Sequence, residues 1–131
     1  MVSLLLRALI AGLVLVMIAN TSAATHENEG SKSMKFGMQV VMTAHAGKGD
    51  ELGVIMLRAS ALVADMPGCE IYIVQQSIND DSKILITEVW TNKEAHQASL
   101  LNSQVRELIM QAKPLIADMQ HHAALPLGGK S

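Results

Sequence analysis

Residues 88 to 100 read EVWTNKEAHQASL, and four side chains in this stretch can do chemistry: Glu88, Trp90, His96 and Ser99. Glu88 and Trp90 are two apart, so on a strand they share a face. A carboxyl group buried among apolar neighbours has a raised pKa and can act as a base near neutral pH. The competing role for Glu88 is a salt bridge to Arg58 or Arg106. Trp90, the only tryptophan, either fills a packed corner over the start of the next helix or walls a pocket. His96 and Ser99 follow on that helix as candidates for the same pocket.

Two further residues complete the catalytic candidates. Tyr72 is the only tyrosine, and its hydroxyl can donate a hydrogen bond within a site, although a core ring with a wet hydroxyl would look the same in sequence. His45 stands at the end of the first strand, beside a glycine-rich turn, where it can serve proton transfer or be wholly exposed. Met42 and Met56 are candidates for lining the pocket, since unbranched thioethers adapt to a ligand. Met38, Met110 and Met119 share that character, and all five also serve as core filler. No metal site is expected. His121 and His122 are adjacent and point to opposite faces of a strand, His26 lies apart, and Cys69 is the only cysteine. AGKGDEL, residues 46–52, lacks the phosphate-loop spacing and reads as a capping turn.

The elements that position these residues follow from periodicity. KFGMQVVMTAH, Lys35 to His45, is a β run with Met38, Val40 and Met42 on one face and Val41 on the other. Leu52, Ile55, Met56, Ala59, Leu62 and Val63 fall at helical spacing, and MPG at 66–68 ends that helix. CEIYIVQQSI and KILITEVW are strands joined by the turn NDDS. Thr91 and Glu94 have capping-box spacing, which starts a helix directly after Trp90. That helix breaks near LNS, and Val105, Leu108, Ile109 and Ala112 form another stripe, ended at Pro114. IADMQHHAALPL supplies a last strand. The order β-α-β-β-α-β is the ferredoxin-like α+β arrangement, an antiparallel sheet with helices on one face. Apolar residues on both strand faces imply that the open face pairs with another sheet, giving a homodimer.

A length of 131 residues suits one domain, and a net charge of -2 gives no electrostatic footprint for nucleic acid. Residues 1–24 carry Arg7 as their only charge, then a short apolar run and a small-residue exit, which is the pattern of a signal peptide. The run from Ala8 to Ala19 is shorter than the ~20 residues a membrane span needs. Export, periplasmic or secreted, with no span left after cleavage is the expectation. Translation from Met34 would instead leave the product cytoplasmic. Residues 25–33, THENEGSKS, read as a disordered linker, and 34–131 as the folded domain.

The combination of GKGDEL, MPGCEIYIV, ITEVWTNKEAHQASL, VRELIMQAKPLI and LPLGGK resembles the antibiotic biosynthesis monooxygenase (ABM) family, over essentially all of Phe36 to Lys130. The resemblance implies a dimeric α+β barrel. It implies a monooxygenase that oxidises a quinol or related phenolic or polyketide aromatic with O₂, using no cofactor. The protein would supply a dry pocket, a base or hydrogen bonds to a phenolate, and orientation. Many relatives carry a His nine residues after the Trp, where this chain has Ser99, and His96 occupies a different helical position. Haem-degrading enzymes share the fold, but Ile109 stands where they place an axial His, and isoleucine cannot ligate iron. A non-catalytic dimeric binding or structural protein of this fold is the competing class.

Overall fold

The computed structural model describes residues 34–130. The expected signal peptide and linker lie outside the described residues. Among the described residues, no helix is long and apolar enough to cross a membrane.

Strand β1 (Phe36–Ala44) leads through an exposed turn to helix α1 (Gly49–Val63), followed by β2 (Cys69–Gln76) and β3 (Lys83–Trp90). Two short helices come next, α2 (Lys93–Ser99) and α3 (Ser103–Ala112), then a 3₁₀ turn (Lys113–Leu115) and β4 (Ile116–Ala124). The strands form one antiparallel sheet in the order β2-β3-β1-β4. This is the ferredoxin-like α+β fold expected from the sequence, with its second helical segment divided in two.

Both helices after Trp90 are started by asparagine. The side chain of Asn92 accepts from the Ala95 N–H at 2.7 Å, and that of Asn102 accepts from Gln104 and Val105. The expected cap at Thr91 is therefore one residue too early. Thr91 still belongs to the β3 corner, where its N–H donates to the Gly68 carbonyl at 2.8 Å. An Asn side chain satisfies a free helix N–H as well as Thr does, so the spacing of Thr91 and Glu94 misplaces the cap.

The inner sheet face packs on the helices. Leu52, Ile84, Ile86 and Trp90 are fully buried, and Leu108 and Ala112 of α3 close over β1 with Ile55, Met56 and Ala59 of α1. The outer face carries Val41, Ile71, Leu85 and Val89, all half-buried, and Ile73, which is 49% exposed.

Gly68 holds the corner together. Its φ is +84°, and a β-carbon there would lie 2.6 Å from both the Thr91 hydroxyl and the Ala95 β-carbon. Any side chain at this position meets a left-handed backbone and a clash with the start of α2. Gly68→Ala is expected to lower stability by about 1–3 kcal/mol in chemical denaturation. Because α2 carries His96, the same variant should shift the His96 ring resonances in NMR. An unchanged spectrum with full stability would detach the corner from the site.

Candidate active site

The strand register builds the site. Glu88 on β3 lies opposite Met38 of β1 and opposite Tyr72 of β2. Along β2 the pairing shifts between Cys69 and Ile71. Regular pairing from Cys69 and Trp90 would set Ile71 against Glu88, so this bulge is what turns the Tyr72 side chain onto the helix-facing side of the sheet. The next row along the strands holds Val74, Ile86, Val40 and His121, and the row after it Ile84, Met42 and Met119.

Glu88 is 8% exposed. The indole Nε1–H of Trp90 donates to its Oε2 at 2.8 Å, and His96 Nε2 lies 3.6 Å from the same oxygen. That second separation is too long for a hydrogen bond. Burial pushes the Glu88 carboxyl pKa up, and the Trp90 donor opposes the shift in part. Burial pushes the His96 pKa down, helped by His121 across the cavity. Both members of the pair are thus driven toward their uncharged forms. The Tyr72 phenol is raised well above its usual range, first by burial and then by the charge of Glu88, so it remains a hydrogen-bond donor at any ordinary pH. Ser99 donates to the His96 carbonyl at 2.6 Å, and the His96 ring lies between Phe36 and Trp90, with centroids at 4.9 and 5.8 Å.

Glu88, Tyr72, His96 and Ser99 border a cavity of about 590 Å³ between the sheet and the three helices. Its wall is mostly apolar, with Met38, Met42, Met56 and Met119 prominent. Cavities of this size and character take flat, drug-sized ligands. With a buried carboxylate, a neutral imidazole and a phenol at one end, the arrangement can accept a proton from a bound hydroxyl and donate a hydrogen bond to the resulting anion.

Of the residues singled out in the sequence, Glu88, Tyr72, Met42, Met56, His96 and Ser99 all line this cavity. Trp90 does not. It is fully buried in a separate cluster with Val63 and Val105, packed by Phe36, Leu62 and Met66. It stands behind the wall and holds Glu88 from there. His45 is not among the lining residues either, because β1 ends at Ala44 and His45 opens the exposed turn before α1. Neither Arg58 nor Arg106 pairs with Glu88. Arg58 bonds Gln111 at 3.4 Å instead, and the inward direction of Glu88 carries it away from surface cations. Sequence reading missed His121, Ile109 and Lys113 as lining residues. His121 shares strand parity with Met119, which was a usable signal. Ile109 and Lys113 depend on how α3 packs, which periodicity does not reveal. Among the described residues no group of three His, Cys, Asp or Glu side chains is placed to hold a metal.

The chain from residue 36 to 109 matches the family model described as antibiotic biosynthesis monooxygenase. A candidate antibiotic biosynthesis monooxygenase from Chloroflexus aurantiacus is similar at 38% identity, with 74% of this chain and 97% of that one covered and a TM-score of 0.68. SnoaB, a cofactor-independent oxygenase from Streptomyces nogalater, shares the fold at 18% identity and a TM-score of 0.66, with 74% and 97% covered. A Pseudomonas aeruginosa protein does so at 17% identity and a TM-score of 0.69, with 76% and 100% covered. No curated protein matches the chain.

Trp90→Phe tests the tie between the corner and the site. The change removes the donor that favours the Glu88 carboxylate, so the Glu88 pKa should rise further. A group whose folded pKa is raised contributes stability that is present at low pH and lost as pH rises through that pKa. The variant should therefore lose about 1–3 kcal/mol, with a larger loss at pH 8 than at pH 5 in urea unfolding followed by circular dichroism. An equal loss at both pH values would reduce Trp90 to packing alone.

Proposed function

Because this chain belongs to the antibiotic biosynthesis monooxygenase family, we propose that it oxidises a quinol or related phenolic aromatic with O₂, without a cofactor. The observation that carries this reading is Glu88: a buried carboxylate of raised pKa, oriented by Trp90 at 2.8 Å and facing an apolar cavity. SnoaB, a cofactor-independent oxygenase of the same fold, supports the same chemistry.

A flat hydroxyaromatic enters between the sheet and α3 and sets a phenolic hydroxyl toward Glu88. Glu88 takes the phenolic proton, and neutral His96 beside it offers a second acceptor. The Tyr72 hydroxyl donates to the phenolate oxygen. Deprotonation moves electron density onto a ring or bridging carbon, which bonds to O₂ and becomes a hydroperoxide. Loss of water from that hydroperoxide leaves one oxygen atom on carbon as a carbonyl. The second oxygen departs as water with two hydrogens from the substrate, so O₂ is the only oxidant and no external reductant is required. The apolar wall excludes bulk water, which strengthens the hydrogen bonds to the anion.

Glu88→Gln separates catalysis from folding. Glutamine can still accept from Trp90 but cannot take a proton. O₂ uptake with 1,8-dihydroxyanthrone should fall roughly 10²–10⁴-fold, while the melting temperature at pH 8 rises and the gain shrinks at pH 5. The sign follows because the cost of burying the charged carboxylate is felt only above its folded pKa. If the native protein binds the anthrone yet takes up no O₂, it is a binding protein of this fold.

The chain acts as a homodimer exported from the cytoplasm. Val41, Leu85, Val89, Ile71 and Ile73 support self-association, since they form an apolar sheet face that no helix covers among the described residues. The 34–131 fragment should be a dimer by light scattering, and Leu85→Arg should shift it to monomer. A native monomer at micromolar concentration would remove the two-sheet assembly.

A further inference from the structure

The cavity holds a second kind of chemistry, which belongs to its sulfur atoms. Among the described residues, Met38, Met42, Met56 and Met119 line it, whereas Met34, Met66 and Met110 do not. A thioether takes an oxygen atom from a peroxide and becomes a sulfoxide. Exposure alone would direct that oxidation elsewhere, because Met34 and Met110 are 74% and 73% exposed while Met38 is half-buried.

Met38 is distinguished by its neighbour. It lies directly opposite Glu88 in the β1–β3 ladder, which sets the two β-carbons ~4.5–5.5 Å apart on one face of the sheet. Both side chains line the cavity. The Met38 sulfur and the Glu88 carboxyl carbon are each two bonds beyond the β-carbon, so they stand at similar heights above the sheet. Trp90 and His96 both address Oε2 of Glu88, which leaves Oε1 to carry a proton. Burial favours that protonated form. Met42 and Met119 lie opposite each other, four residues further along β1, a distance of ~13 Å at strand rise. Glu88 is the only acid among the lining residues, so neither of them has a carboxyl donor at hand.

We propose that the cavity admits an apolar organic hydroperoxide and transfers its terminal oxygen to Met38, with Glu88 moving the proton. The sulfur attacks the terminal oxygen, and the O–O bond breaks as the S–O bond forms. The departing alkoxide takes the proton from Oε1 and leaves as the alcohol. The sulfur, now positively charged and carrying a hydroxyl, returns that hydroxyl's proton to Glu88 and becomes the sulfoxide. Sulfur has lost two electrons, the peroxide has gained them, and Glu88 ends as it began. The oxidation proposed above forms a hydroperoxide in this same space, and Met38 would meet one that lingers. The site needs only a hydroperoxide and does not rest on that reaction.

The test treats native protein and Glu88→Gln separately with cumene hydroperoxide and with hydrogen peroxide, and follows the sulfoxide at each methionine by peptide mass spectrometry. In native protein, cumene hydroperoxide should oxidise Met38 about tenfold faster than Met110, because general-acid assistance of roughly 10²-fold outweighs poorer exposure. Hydrogen peroxide is small and polar, gains nothing from an apolar cavity, and should oxidise Met110 first. In Glu88→Gln the amide still accepts from Trp90 but supplies no acidic proton. The ratio of Met38 to Met119 oxidation by cumene hydroperoxide should then fall about tenfold. Met38→Leu keeps the side-chain volume, and the fast equivalent of cumyl alcohol formed by native protein should disappear. An identical order of oxidation with both peroxides would overturn the proposal, because the cavity would then select no ligand. A Met38 advantage that survives Glu88→Gln, or fast alcohol formation that survives Met38→Leu, would overturn it as well. O₂ uptake enters none of these readouts, so this site stands or fails apart from the monooxygenase reading.

Discussion

The structure turns on one hydrogen bond, from the indole of Trp90 to the carboxylate of Glu88. A carboxylate that is 8% exposed needs a partner, because an unpaired buried charge is costly. The indole supplies that partner without neutralising the charge. An arginine in its place would hold the carboxyl low and leave it a poor base. A purely apolar neighbour would leave it protonated. One neutral donor keeps Glu88 in between, raised by burial and only partly restored. The donor must itself be immobile, which explains why Trp90 is sunk into a cluster with Val63 and Val105 and not spread along the cavity wall.

The remaining elements serve that contact. The β2 bulge brings Tyr72 to Glu88 in place of Ile71. Gly68 lets the chain leaving α1 pass against Thr91 and Ala95 closely enough to start α2. The Asn92 cap then sets the phase of α2, so that His96, one turn in, points back at Glu88 and Ser99 ties its hydroxyl to the His96 carbonyl. Each device is local, and each acts on the direction of a side chain within the site.

Much of this was legible in the sequence. Period-two runs marked β1 and β3, and KILITEVW proved to be β3 from end to end. Parity alone placed Glu88 and Trp90 on one face. Three features were not legible, for distinct physical reasons. Thr91 and Asn92 are both good caps, and the choice between them depends on the β3 corner, a long-range contact with Gly68. The bulge that reorients Tyr72 leaves no residue signature in CEIYIV. A carboxylate suggests a cation as its partner, although the indole two residues away is the better-placed donor. His45 shows the limit from the other side: a histidine beside a glycine-rich turn looks available for chemistry, yet the strand ends before it can face inward.

The cavity itself has a cause in side-chain size. Where α1 and α3 approach the sheet, the chain places Ala59 and Ala112, and the neighbouring positions are methionines. Larger aliphatic residues would close this space and add stability, since unfilled apolar volume costs roughly 24 cal/mol per Å³ in closed cores. The space here opens to solvent near β4, where Met119 is 37% exposed, so the full cost does not apply. The small residues still forgo packing that the fold could have had. Phe36, half-buried, packs against His96 and the Trp90 cluster. The corner that fixes Glu88 is closed by the fully buried Trp90, while the volume beside it is left open. That division sets a fixed carboxylate beside a cavity whose unbranched methionines can adapt their shape.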